Sequence, residues 1–104
     1  MAEISTTVQG SLRRFLAAVG EERRITAAYL YGSEARGQAG RWSDLDVAII
    51  SPDFADDLFA AQLALMKLAA QMDERLEPRA FTPESFNRNN PLASAIQDTG
   101  IRIV

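Results

Sequence analysis

Apolar and polar positions follow two rhythms along this chain. Val8, Leu12, Phe15, Leu16 and Val19 recur at helical spacing, with Gln9, Arg13 and Arg14 on other faces. This predicts an amphipathic helix that ends near Gly20. Residues 25–31 (ITAAYLY) are nearly all apolar, with two aromatics and β-branched side chains, which predicts a short buried strand. Residues 44–50 (DLDVAII) alternate instead. Asp44, Asp46, Ala48 and Ile50 share one strand face, and Leu45, Val47 and Ile49 the other. Ser51-Pro52-Asp53 stops that strand. Residues 55–75 read as a long helix with two adjoining apolar stripes: Leu58, Ala61, Leu65, Leu68 and Met72, then Phe59, Leu63, Met66 and Ala70. Between Leu58 and Met72 the only charge is Lys67.

Residues 75–81 (RLEPRAF) predict a third strand, and Pro78 argues for an edge or irregular position. Thr82-Pro83-Glu84 carries a helix-start signal, an N-cap threonine followed by proline. Asn90-Pro91 repeats that signal for a helix over 92–98. Gly100 ends it, leaving 101–104 as a last short strand. The order of elements predicts an α/β (α+β) fold, a small mixed sheet flanked by helices.

Composition narrows the chemistry. A chain of 104 residues with 47% hydrophobic content predicts one domain with a modest core and no room for a separate substrate-binding domain. No run approaches the roughly 18 apolar residues of a membrane span, and residues 1–10 show no signal-peptide pattern. With no cysteine there is neither disulfide nor thiolate metal site, which suits the cytoplasm. The net charge is -3 and there is no histidine. Direct nucleic-acid binding is therefore not expected, and carboxylates are left as the candidates for metal binding or acid–base work.

Asp44 and Asp46 raise the central question. On a strand they lie on one face, roughly 6–7 Å apart at Cα, where like charges repel. A cation between them removes the conflict, and magnesium takes one or two carboxylates together with phosphate oxygens. The plainer alternative is that Asp44 caps a turn and Asp46 faces solvent. Gly32-Ser33, just after the ITAAYLY strand, adds weight to the first reading. Glycine lets a ligand approach the backbone, and a serine hydroxyl with backbone N–H groups can hold a phosphate. A phosphate cradle beside a metal pair is what nucleotidyl transfer requires.

Gly32-Ser33, ten intervening residues, then Asp44-Leu45-Asp46 resembles the signature of the minimal nucleotidyltransferases of the DNA polymerase β-like superfamily. Gly-Ser-x-Ala-Arg-Gly at 32–37 and Ser-Asp-Leu-Asp-Val at 43–47 match its finer spelling, and the ending, 90–104, looks like the family's tail. The resemblance covers most of the chain and implies a polymerase β palm-like core. It also implies a third metal-binding carboxylate, by position Glu77. Many members have aspartate there, in a strand without proline. Asp73 and Glu74 are nearby fallbacks, expected at a helix end. Arg36, in Ala-Arg-Gly, is implied to reach the triphosphate. Arg41 and Trp42 receive no role.

The implied chemistry is transfer of AMP from ATP to a hydroxyl, with Mg²⁺ or Mn²⁺ held by Asp44, Asp46 and Glu77, and phosphates at Gly32, Ser33 and Arg36. In the resembled group the partner is typically a HEPN-family protein, an all-helical RNase toxin, against which the nucleotidyltransferase is the antitoxin. Two other readings stand beside it. One is a non-catalytic antitoxin acting by contact. The other is a small-molecule nucleotidyltransferase whose site is completed by a homodimer.

Overall fold

The structure, a computed structural model, describes residues 6–32 and 44–104. Helix α1 (Thr6–Gly20) buries Val8, Leu12, Phe15 and Val19 of the helical-spacing set read from the sequence, and Leu16 of that set is partly buried. Strands β1 (Ala27–Tyr31) and β2 (Leu45–Ile50) follow. β1 starts later than the apolar run does. The Thr26 N–H and hydroxyl both donate to the Ile50 carbonyl, and Ile25 packs against the core from outside the strand.

After β2 the Ser51 hydroxyl accepts from the Asp53 N–H at 3.0 Å, and Pro52–Phe54 forms one 3₁₀ turn that drives Phe54 into the core. Helix α2 spans Leu58–Met72, not the longer 55–75 stretch. Asp57 sets its start by accepting from the Ala60 N–H at 2.9 Å. Strand β3 is Leu76–Phe81. The helix expected at Thr82-Pro83-Glu84 does not form. Thr82 and Ser85 satisfy each other instead: the Thr82 N–H donates to Ser85 Oγ at 3.0 Å, and the Ser85 N–H to Thr82 Oγ1 at 3.1 Å. These are N-cap bonds, and the Phe86 N–H also donates to the Thr82 carbonyl at 3.1 Å, so Thr82 caps a single turn that does not continue as a helix. Helix α3 (Pro91–Thr99) does form, capped by Asn90. Strand β4 is only Ile101–Arg102.

The four strands order as β3-β2-β1-β4, with β2 and β3 parallel and the other pairs antiparallel. The α+β architecture with a mixed sheet is as expected. One sheet face buries Leu30, Leu45, Val47 and Ile49 with α1 and α2. The other buries Ala48, Ile50 and Phe81 with Ala93 and Ile96 of α3, edged by Tyr29 and Phe86. The β2–β3 register runs unbroken from Leu45↔Leu76 to Ile50↔Phe81, so Pro78 does not disturb the pairing. Among the described residues no helix is long and apolar enough to cross a membrane.

α2 uses only part of its apolar surface. Leu65 and Ala69 are buried, and Ala61 and Leu68 partly so. The second stripe stays outside, with Phe59 75%, Leu63 43% and Met66 50% exposed.

Asp73, at the C-cap of α2, ties three elements together. It accepts from the Ser11 hydroxyl of α1 at 2.9 Å and from the Arg75 N–H and guanidinium. The Arg75 guanidinium chiefly, then the Arg75 N–H and Ser11, outweigh burial and hold its carboxyl near 2 instead of the ordinary 3.8. A depressed carboxyl stabilises the fold above its unfolded value and loses that contribution as pH falls through the folded one. Asp73→Asn should cost about 2 kcal/mol at pH 7. In urea titrations the gap between the proteins should close as pH drops from about 4 toward 2.

Candidate active site

The register of three strands builds the site. Tyr31 of β1 pairs with Asp46 of β2, and Asp46 with Glu77 of β3, so these side chains form a row on one sheet face. This is the face that carries Ala48, Ile50 and α3 farther along. Asp44 lies one residue before β2 and is exposed. Asp46 and Glu77 are thus cross-strand neighbours, and Asp44 lies close enough to Glu77 to share a side-chain hydrogen bond with it.

Gly32 ends β1 at φ +78°, a left-handed conformation that disfavours a side chain. A Cβ there would also collide with Asp46 Oδ2. Glycine therefore serves twice, allowing the turn and leaving the Asp46 carboxylate open beneath it. Ser33 and Arg36, like Arg41 and Trp42, lie outside the described residues.

The carboxylates raise one another's proton affinity. Burial first, then the charge of Asp44, pushes the Asp46 carboxyl above its ordinary value, and Arg79 pulls against them. Glu77 is pushed up chiefly by the charge of Asp44, then by burial, by a side-chain hydrogen bond with Asp44, and by Asp46. Two carboxyls bond to each other only by sharing a proton, so this cluster is short of positive charge. No three acidic side chains among the described residues are gathered into a ready-made metal cage. The donor chemistry nonetheless fits a hard divalent cation: oxygen ligands only, in a chain without cysteine or histidine.

The row faces an open cleft of about 390 Å³ lined by Tyr31, Asp46, Gln62, Met66, Glu77 and Arg79, among others, a volume in the range of small-molecule sites. Asp73 is engaged at the helix end, as expected of it, and Glu74 reaches the cleft wall.

Tyr31 and Arg79 were not singled out in the sequence. Burial, then Asp46, raises the Tyr31 hydroxyl, which Arg79 opposes by charge and hydrogen bond. Strand alternation could have found Arg79, two residues past Glu77 on the same face. Tyr31 was hidden inside an apolar run.

The family model described as nucleotidyltransferase domain matches residues 12–103. Among solved structures, a toxin–antitoxin crystal structure with AMP-PNP is similar at TM-score 0.63 and 23% identity, covering 90% of this chain and 70% of that one. A protein from Sulfolobus solfataricus, assigned as a nucleotidyltransferase, is similar at TM-score 0.60 and 12% identity, over 98% of this chain and 89% of that one. None of the curated proteins compared matches the chain.

Proposed function

The chain belongs to the nucleotidyltransferase domain family, and from that membership we propose that it transfers AMP from ATP to a hydroxyl group on a helical, HEPN-type protein partner. The observation that carries this reading is the row Tyr31–Asp46–Glu77, joined by Asp44, along an open cleft beside Gly32. The similar toxin–antitoxin structure with AMP-PNP supports a nucleotide and a protein partner.

In the transfer, the acceptor oxygen forms a bond to the α-phosphorus of ATP. The bond from that phosphorus to the bridging oxygen breaks, and pyrophosphate leaves with the electron pair. Asp44, Asp46 and Glu77 would hold Mg²⁺ or Mn²⁺, which when bound supplies charge neutralisation at the phosphates and the acceptor. The chain's own part is positioning. The Gly32 turn keeps the backbone out of the way of the triphosphate, and the motif assigns Ser33 and Arg36 to the phosphates. Glu77, exposed on the edge strand, can take the proton of an arriving hydroxyl.

The uncovered stripe of α2 supports the partner. Phe59, Leu63 and Met66 are exposed beside Gln62, which lines the same cleft as the carboxylates. A contiguous apolar patch of this kind marks an interface. It also favours, as a second reading, an antitoxin that acts by contact alone.

Labelled ATP and Mg²⁺, incubated with the chain and a candidate helical partner, test the reading directly. An added AMP on a partner hydroxyl supports it. A stable complex without modification, in Mg²⁺ or Mn²⁺, leaves the contact reading. Transfer to a small molecule by a chain that ignores every helical partner overturns both. ATP with Mg²⁺ should raise the melting temperature, and excess chelator should remove the shift. Glu77→Gln should lower the transfer rate at least tenfold more than it weakens ATP binding, by order of magnitude, because most triphosphate contacts survive.

A further inference from the structure

Strand β3 is a sheet edge, and its outward N–H groups are accounted for in an unusual way. The Arg75 and Phe81 carbonyls accept from the Leu45 and Ser51 N–H groups on the β2 side. By strand alternation, Leu76, Pro78 and Ala80 turn their backbone groups toward the free edge. The Leu76 N–H donates to the Asp73 carbonyl at 3.0 Å. Pro78 has no N–H to leave bare. The Ala80 N–H donates to Gln62 Oε1 at 2.8 Å, and Gln62 Nε2 donates to the Pro78 carbonyl at 2.8 Å. One side-chain amide from α2 thus makes both hydrogen bonds that a neighbouring strand would make there.

The two clamped residues flank Arg79, and Pro78 directly follows Glu77. Glu77 and Arg79 both line the cleft, as does Gln62 itself. An edge strand is the part of a sheet freest to shift, because only one side is paired. Gln62 thus holds this edge strand at Pro78 and Ala80, immediately after Glu77 and on both sides of Arg79.

We propose that Gln62 is a positioning residue for Glu77, its amide standing in for a missing strand so that the β3 edge keeps the pleat on which Glu77 and Arg79 project into the cleft. The role assigned to Glu77 is that of the proposed function, on which this inference rests. The local consequence, a closed edge at Ala80, does not depend on it.

Gln62→Met keeps the length and packing of the side chain and removes both hydrogen bonds. Amide hydrogen exchange, read by NMR, tests the clamp. The Ala80 amide should be protected in the wild-type protein and lose at least tenfold of that protection in the variant, by order of magnitude, while amides of β1 and β2 keep theirs. Mn²⁺ titration in the presence of AMP-PNP tests the positioning. Gln62→Met should weaken Mn²⁺ binding by about three- to tenfold in the wild-type background and have no further effect in Glu77→Gln, since residues that act as one unit are not additive. Equal losses in both backgrounds would overturn the positioning role. An Ala80 amide that exchanges fast in the wild type, or as slowly in the variant, would overturn the clamp and the proposal with it. If the wild type binds no Mn²⁺ with AMP-PNP, the assignment of Glu77 falls, and the exchange data still decide whether Gln62 closes the edge.

Discussion

Asp46→Asn should abolish nucleotidyl transfer, by about a thousandfold or more, and at the same time make the protein harder to melt. Both effects come from one placement. Asp46 sits at the centre of the row between Tyr31 and Glu77, with Asp44 beside it. Burial and the Asp44 charge raise its carboxyl above the ordinary 3.8. A carboxyl raised in the folded state is a cost to folding at any pH where it must ionise, and no cost where it is protonated in both states. The amide keeps the shape and drops the charge. In the absence of nucleotide and divalent metal, its melting temperature should exceed that of the wild type by a few degrees at pH 7. The advantage should fade as pH falls through the raised carboxyl value toward the ordinary one, and be gone below it. A variant that is inactive and less stable at pH 7 would show that Asp46 is a structural residue. An active variant would dismiss it from the site.

The second large effect separates two phenylalanines. Phe15 is fully buried in the core between α1 and the sheet, whereas Phe59 is 75% exposed on α2. Phe15→Ala should cost about 3–5 kcal/mol, a large part of the 5–15 kcal/mol that typically holds a domain of this size. The melting temperature should drop by on the order of 20 °C. Phe59→Ala should leave the isolated chain within about 0.5 kcal/mol of the wild type. Its effect should fall on the partner, at about 2 kcal/mol or more of binding free energy if it is an anchor of that interface. Thermal melts of both variants, with partner affinities measured by calorimetry, check the pair of expectations. An unchanged partner affinity for Phe59→Ala would move the interface off this stripe.

The parts of this molecule legible in the sequence are those where one residue has one job. Val8, Leu12, Phe15 and Val19 write out the buried face of α1. The DLDVAII alternation places Asp46 opposite Leu45 and Val47, as the two buried layers show. Gly32 announced close approach, and its left-handed φ under a nearby carboxylate is the reason. What stayed hidden depends on contacts between distant segments. Pro78 pointed to an edge or an irregular position, and only the sheet order shows that it is the edge. It faces the free edge, where losing an N–H costs nothing. Thr82 makes the cap bonds with Ser85 that its sequence suggests, yet the turn they start goes no further. Nothing in the sequence tells that the partners of Gln62 lie on β3. Arg79 and Tyr31 gain their setting from β2, which lies between their strands.

The parallel pairing of β2 with β3 also sets when the site comes into being. Asp46 and Glu77 are cross-strand neighbours, yet the whole of α2 lies between them in the chain. Parallel strands cannot meet until their crossover has docked, and pairings between distant segments come late because the chain entropy of closing the loop opposes them. α1 and α2 can gain helical structure early from local contacts alone. Asp46 and Glu77 cannot face the cleft together until β3 has closed against β2. A half-folded chain thus lacks the Asp46–Glu77 pair, and the proposed binding of metal-bound nucleotide has to wait for that closure.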